Sequence, residues 1–227
     1  MSANGTPAAP LPAVVLLSGR GSNLQAILAH IAAGELPISL QAVISDRIDA
    51  PGLDRAHAAR VPAYALLPRD FSDREAFDAA LTALIDRYQV GLVVLAGFMR
   101  ILGSAFVRHY RGRLLNVHPS LLPKYRGLHT HRRALEAGER VHGCSVHFVT
   151  EELDGGPVIA QASVPVLRED TEASLRARVL QREHLLYPHT LAWFAAGRLR
   201  LEKQHILFDG APLSVPKLLA WGEEYIA

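Results

Sequence analysis

Apolar positions along the first hundred residues alternate between two rhythms. Ala13-Val14-Val15-Leu16-Leu17 is an unbroken apolar run ahead of a glycine-rich turn, the pattern of a strand buried on both faces. From Asn23 to Ala33, Leu24, Ile27, Leu28 and Ile31 recur at helical spacing, and Gly34 closes the stretch. Leu40 to Ser45 predicts the next strand, Pro51 to Ala59 a second helix and Ala63 to Leu67 a third strand. Phe77, Leu81, Leu84, Ile85 and Tyr88 predict a helix between Asp73 and Tyr88, and the β-branched run Val90 to Leu95 a fourth strand. Alternation of this kind predicts a parallel sheet with right-handed crossovers and helices on both faces.

Leu114 to His118, Gly143 to Val149 and Val158 to Val164 predict three further strands. The last two are joined through Asp154-Gly155-Gly156-Pro157, a spacing that allows a hairpin, so the sheet is expected to be mixed at this end. The fold expected is α/β: a Rossmann-like, mostly parallel, twisted sheet of about seven strands. Thr171 to Ala196 reads as one long helical segment that Pro188 is expected to kink or split. The final thirty or so residues read as a short strand pair and a tail. Residues 1–12, rich in Ala, Pro and small polar residues, are expected to be a disordered lead-in.

Composition narrows the classes. The chain has 227 residues, 49% of them apolar, enough for one large α/β domain, and shows no internal repeat or interdomain linker. With 24 basic against 22 acidic side chains, nothing points to a nucleic-acid or membrane partner. Cys144 is the only cysteine, so an internal disulfide is impossible and a reducing cytoplasm fits. No apolar run reaches transmembrane length, and Met1 to Pro12 lacks the basic start and apolar stretch of a signal peptide.

Candidate chemistry concentrates in Asn116-Val117-His118-Pro119-Ser120-Leu121-Leu122-Pro123 and, downstream, Asp154-Gly155-Gly156. An amide can donate to a developing oxyanion, an imidazole can move a proton, and a carboxylate can set the imidazole's charge. Asn116 and His118 share a strand face. Pro119 stops the ladder, which puts the pair at a strand end, where sites of open α/β sheets are built. Asp154 equally suits a plain Asp-Gly turn.

Ser18-Gly19-Arg20-Gly21-Ser22-Asn23 lies between the first strand and first helix. Its backbone N–H groups could meet an anion, or the segment could be a structural turn with Ser22 or Asn23 as N-cap. The loop lacks the third glycine of a dinucleotide fingerprint, which favours a monophosphate. Leu95 to Leu102 reads as a loop tucked onto the core. His142, Cys144 and His147 have the wrong spacing for a zinc site, and no metal is expected. Strand parity leaves open whether His147 lines the site.

Five segments in this order, Ser18 to Asn23, Val94 to Arg100, Leu115 to Pro123, Gly127 to His131 and His147 to Gly156, resemble the phosphoribosylglycinamide formyltransferase family. The resemblance runs from about Val14 to Phe208. It implies transfer of a formyl group from 10-formyltetrahydrofolate, as co-substrate, to the amine of glycinamide ribonucleotide in de novo purine synthesis. By position, Asn116, His118 and Asp154 would be catalytic. Gly21, Ser22 and Asn23 would hold the ribonucleotide phosphate, with Glu183 at its ribose. Arg74, Met99, Arg100, Ile101, Leu102, Asn116, Thr150, Glu151, Glu152, Leu153 and Asp154 would line the folate site. A single domain over 13–227 would have a nucleotide-binding half over about 13–110 and a catalytic and folate half over about 111–210. It would act on small-molecule substrates as a monomer or homodimer.

Arg126 stands where the family usually has proline, and Leu180 where close relatives can have a polar residue. Methionyl-tRNA formyltransferase and formyltetrahydrofolate deformylase share the catalytic block, but each is expected to carry a further domain. A folate- or nucleotide-binding module without catalysis is the remaining class, and the intact Asn116, His118 and Asp154 argue against it.

Overall fold

A computed structural model describes residues 9–224. An eight-stranded sheet runs in the order β11-β7-β6-β5-β4-β1-β2-β3. Its first half is parallel: β1 (Leu11–Leu17) lies between β2 (Ile38–Ser45) and β4 (Leu92–Leu95), with β3 (Ala63–Ala65) at the edge. β5 (Leu114–His118) continues parallel to β4, whereas β6 (Val141–Phe148) pairs antiparallel with both β5 and β7 (Val158–Pro165). The expected mixed end is therefore present.

Strand parity sorts the core. On β1, Ala13, Val15 and Leu17 face one apolar cluster, and Val14 and Leu16 face the other. The first cluster takes in α1 (Ser22–Ala32), α2 (Pro51–Ala58) and the long α6 (Glu172–Ala195). The second takes in α3 (Arg74–Asp86) and α4 (Ser104–His109). Helices thus cover both faces, as a buried parallel sheet requires.

Four expectations change. β1 begins at Leu11, ahead of Ala13 and inside the expected lead-in; residues 1–8 lie outside the described residues. α6 is one helix through Pro188 and is not split there. The ring removes one donor to the His184 carbonyl, and burial of Leu186, Tyr187, Thr190 and Leu191 around it outweighs that loss. β8 (Leu199–Glu202), β9 (His205–Phe208) and β10 (Ala211–Pro212) form a separate three-stranded sheet rather than a pair. The last segment holds β11 (Lys217–Leu219), which joins the main sheet parallel to β7 and raises its strands to eight. α4 and α5 (Thr130–Glu136) were too short for a periodic signal. No helix among the described residues is long and apolar enough to cross a membrane.

Candidate active site

The chain leaves β1 toward β2 on one side of the sheet and leaves β4 toward β5 on the other. A crevice opens where such crossovers diverge, beyond the carboxyl ends of the strands. Here it is a cleft of about 660 Å³, lined from the ends of β1, β4 and β5, the segment 127–131, the 153–154 turn and one face of α6.

One end of the cleft is the glycine loop. Gly21 has φ of 68°, and a Cβ there would lie 2.7 Å from the Gly52 Cα, so only glycine fits. It leads directly into α1, whose first turn has no side-chain cap, leaving N–H groups and the positive end of the helix dipole at the cleft. Arg55 of α2 braces the loop, donating from Nε to the Arg20 carbonyl (2.9 Å) and from Nη1 to Gln25 Oε1 (2.9 Å). Asn23 Nδ2 donates to Glu183 Oε2 at 2.7 Å, and both side chains are buried. Burial pushes the Glu183 carboxyl up to about 7, partly offset by the Asn23 amide and the Arg176 charge.

The centre of the cleft is the β5–β6 pairing. Asn116 lies opposite His147 in register, and its Nδ2 sits 3.1 Å from His147 Nε2. His147 Nδ1 donates to the Phe148 carbonyl at 3.0 Å. Burial holds the His147 ring down at about 4, so it is neutral at pH 7 and Nε2 is an acceptor. One amide hydrogen of Asn116 is thereby fixed, and its second is directed elsewhere.

His118 Nε2 donates to the Tyr125 carbonyl at 2.9 Å, and its Nδ1 lies 3.4 Å from Asp154 Oδ2. Asp154 has φ of 47°, a left-handed conformation that Asp tolerates better than most residues. Its Oδ2 accepts the Gly127 N–H at 2.9 Å, and its Oδ1 lies 3.7 Å from His147 Nε2. A Cβ on Gly156 would collide with the Phe148 carbonyl, so glycine lets this loop fold back tightly on β6. His131 also lines the cleft; desolvation holds its ring at about 4.

The cleft also carries apolar side chains. Met99, Ile101, Leu128 and Leu153 line it, each more than half exposed. Exposed apolar side chains gathered at one cleft mark a binding surface rather than scattered surface residues.

A formyl transferase family model matches residues 12–191. The chain belongs to the formyl transferase family. Among members of that family, it is similar to the phosphoribosylglycinamide formyltransferase of Escherichia coli (strain K12), at 54% identity over 88% of this chain and 94% of that protein. The solved phosphoribosylglycinamide formyltransferase of Coxiella burnetii superposes with a TM-score of 0.87 at 53% identity, covering 90% of this chain and 96% of that one. A formyltetrahydrofolate deformylase from Pseudomonas syringae pv. tomato shares the fold at a TM-score of 0.82 and 26% identity; 88% of this chain covers 66% of that one.

Within this formyl transferase, the cleft gathers Gly21, Ser22, Asn23, Met99, Arg100, Ile101, Asn116, His118, Leu153, Asp154 and Glu183. It does not gather Arg74, Leu102, Thr150, Glu151 or Glu152. Arg74 begins α3 beside Asp78 and Gly103. Leu102 packs against the apolar cluster on the α3 face. Glu151 pairs with Arg108 at 3.1 Å and Glu152 with Arg126, while the Thr150 hydroxyl donates to the Glu152 carbonyl at 3.4 Å. Arg126 thus spends its charge on the 150–154 loop, and Leu180 lines the cleft one helical turn from Glu183. His147 is the contact that parity left open; it becomes legible only once the β5–β6 register is fixed.

Proposed function

We propose that this chain transfers the formyl group of 10-formyltetrahydrofolate to the amine of N1-(5-phospho-D-ribosyl)glycinamide. The products are the N-formyl ribonucleotide and tetrahydrofolate, in de novo purine biosynthesis. The observation that carries the reading is the placement of Asn116, His118 and Asp154 between a glycine loop at a helix N-terminus and an apolar rim. The first suits a phosphate and the second a flat, largely apolar pteridine.

The amine attacks the formyl carbon. Asn116 donates its second amide hydrogen to the oxyanion, with His147 holding the amide in that orientation. With Nε2 committed to the Tyr125 carbonyl, Nδ1 is the His118 nitrogen that serves the reacting atoms. Asp154 sets a carboxylate against that nitrogen, where it favours positive charge developing on the ring, and accepts the Gly127 N–H, which fixes its own position. The proton leaving the amine passes to the folate N10 by way of His118 or a water held by Asp154. The glycine loop grips the phosphate away from the chemistry, so its binding energy serves alignment.

A deformylase reading has support from the shared fold. Assaying tetrahydrofolate release with and without the ribonucleotide separates the two. Release that depends on the ribonucleotide is expected; equal release without it would replace transfer by hydrolysis.

A further inference from the structure

Ser18 belongs to the glycine loop by sequence but holds the 99–101 segment of the cleft lining by contact. The β1–β4 ladder continues past the strands: the Ala96 N–H donates to the Leu16 carbonyl at 2.8 Å, and the Ser18 N–H to the Gly97 carbonyl at 3.0 Å. The next rung is made by a side chain. The Met99 N–H donates to Ser18 Oγ at 2.8 Å. Ser18 is only 6% exposed, so water competes poorly for that bond. The segment it holds carries Met99, Arg100 and Ile101, which line the same cleft as Gly19 to Asn23, which follow Ser18 directly. The far end of the same segment is pinned separately, by the Gly103 N–H donating to Asp78 Oδ2 at 2.7 Å.

We propose that Ser18 is a positioning residue that couples the two substrate sites, one hydroxyl hanging the donor wall from the phosphate loop. Closing the Gly19–Asn23 amides on a phosphate fixes the backbone that carries Ser18. Oγ then fixes the Met99 N–H and with it the surface the folate meets. Coupling of this kind is reciprocal: each substrate tightens the other by the same factor. A hydroxyl that only braced the fold would change donor affinity equally with and without the acceptor. The inference rests on the formyl transfer assignment.

The test is calorimetric. Binding of the ribonucleotide is measured alone and in the presence of a folate analogue with carbon in place of N10, which cannot release its formyl group. In the wild type the analogue should tighten ribonucleotide binding about 2- to 10-fold, the range one intramolecular hydrogen bond can transmit. Ser18→Ala should bring that ratio close to one, and Ser18→Thr, which keeps the hydroxyl, should restore it. Should Ser18→Ala not fold, Ser18→Cys carries the same expectation, because sulfur is a weak acceptor. An unchanged ratio in the variant, or a wild type that binds both ligands independently, overturns the coupling and leaves formyl transfer standing. A wild type that binds neither ligand brings down both.

Discussion

His118 is committed through one nitrogen only, which leaves Nδ1 to serve the reaction. One faces the Tyr125 carbonyl and the other faces Asp154, so the ring is held in orientation by the backbone and opposite a charge by the loop. His118→Ala is expected to lower kcat by about 100- to 10,000-fold, the usual range for a positioned acid–base group, with ribonucleotide affinity by calorimetry little changed. Turnover near wild type would remove the ring from the reaction. Asp154→Asn separates turn from charge. Asn tolerates the left-handed backbone and can still accept the Gly127 N–H, but it leaves the ring uncompensated. Its kcat should fall strongly, with smaller changes in both KM values. Full activity would reduce Asp154 to a turn former. Neither residue reveals its partners by type alone: a lone histidine is more often structural than catalytic, and only the strand end at Pro119 and the Asp-Gly-Gly turn raised these above that background.

At the scale of elements, the strands and helices that place the site were legible where periodicity ran long enough. β5 was read to the residue, because Pro119 ends its ladder, and α3 was read within two residues, with Asp73 capping it through the Ala76 N–H. The segment 127–136, which supplies Gly127 and His131 to the cleft, carries no periodic signal for a helix: α5 has seven residues and follows an N-cap at His129 with φ of 59°. Burial, not pattern, decides such pieces. The same is true of α6, which Pro188 leaves continuous. Tyr187, beside that proline, donates to the carbonyls of Leu95 at 3.1 Å and Leu115 at 2.9 Å, tying the helix to β4 and β5 just below the cleft. Tyr187→Phe keeps the ring but removes the shared donor, and should cost about 1–2 kcal/mol in denaturant unfolding. A loss within error would mean that other donors satisfy both carbonyls. In the glycine loop, Gly21→Val should raise the ribonucleotide KM sharply with little effect on the folate KM, since Cβ meets Gly52 at the phosphate end. The reverse pattern would exchange the two ends of the cleft.

Over the whole molecule, the buried titratable groups set how the fold answers pH, and no sequence pattern shows this because each depends on burial. His131, His142 and His147 are all held by desolvation at about 4, below their ordinary 6.5. Folded, they stay neutral to about 4; unfolded, each takes up a proton below 6.5. Their stabilisation is therefore complete at neutral pH and is lost progressively as pH falls from 6.5 toward 4. Glu183 acts in the opposite sense. Its buried carboxyl keeps its proton up to about 7, whereas the unfolded chain releases it above 4.5, so its contribution falls as pH rises through that window. Between 4.5 and 6.5 unfolding takes up protons at these three histidines and further at His184, whose ring desolvation also holds down, and releases one at Glu183. The net uptake is about two protons or more, and stability should drop by about 3 kcal/mol per pH unit or more on acidification. Urea unfolding at pH 7.5, 6 and 5 measures the slope. His142→Asn removes one of these titrations at a residue outside the proposed reaction. Whatever the substitution does to stability at pH 7.5, the slope between pH 5 and 6.5 should fall by one proton's worth, about 1.4 kcal/mol per pH unit. A wild-type profile flat across that interval would mean that these rings reach water in the folded state. An unchanged slope in His142→Asn would place the uptake on other groups.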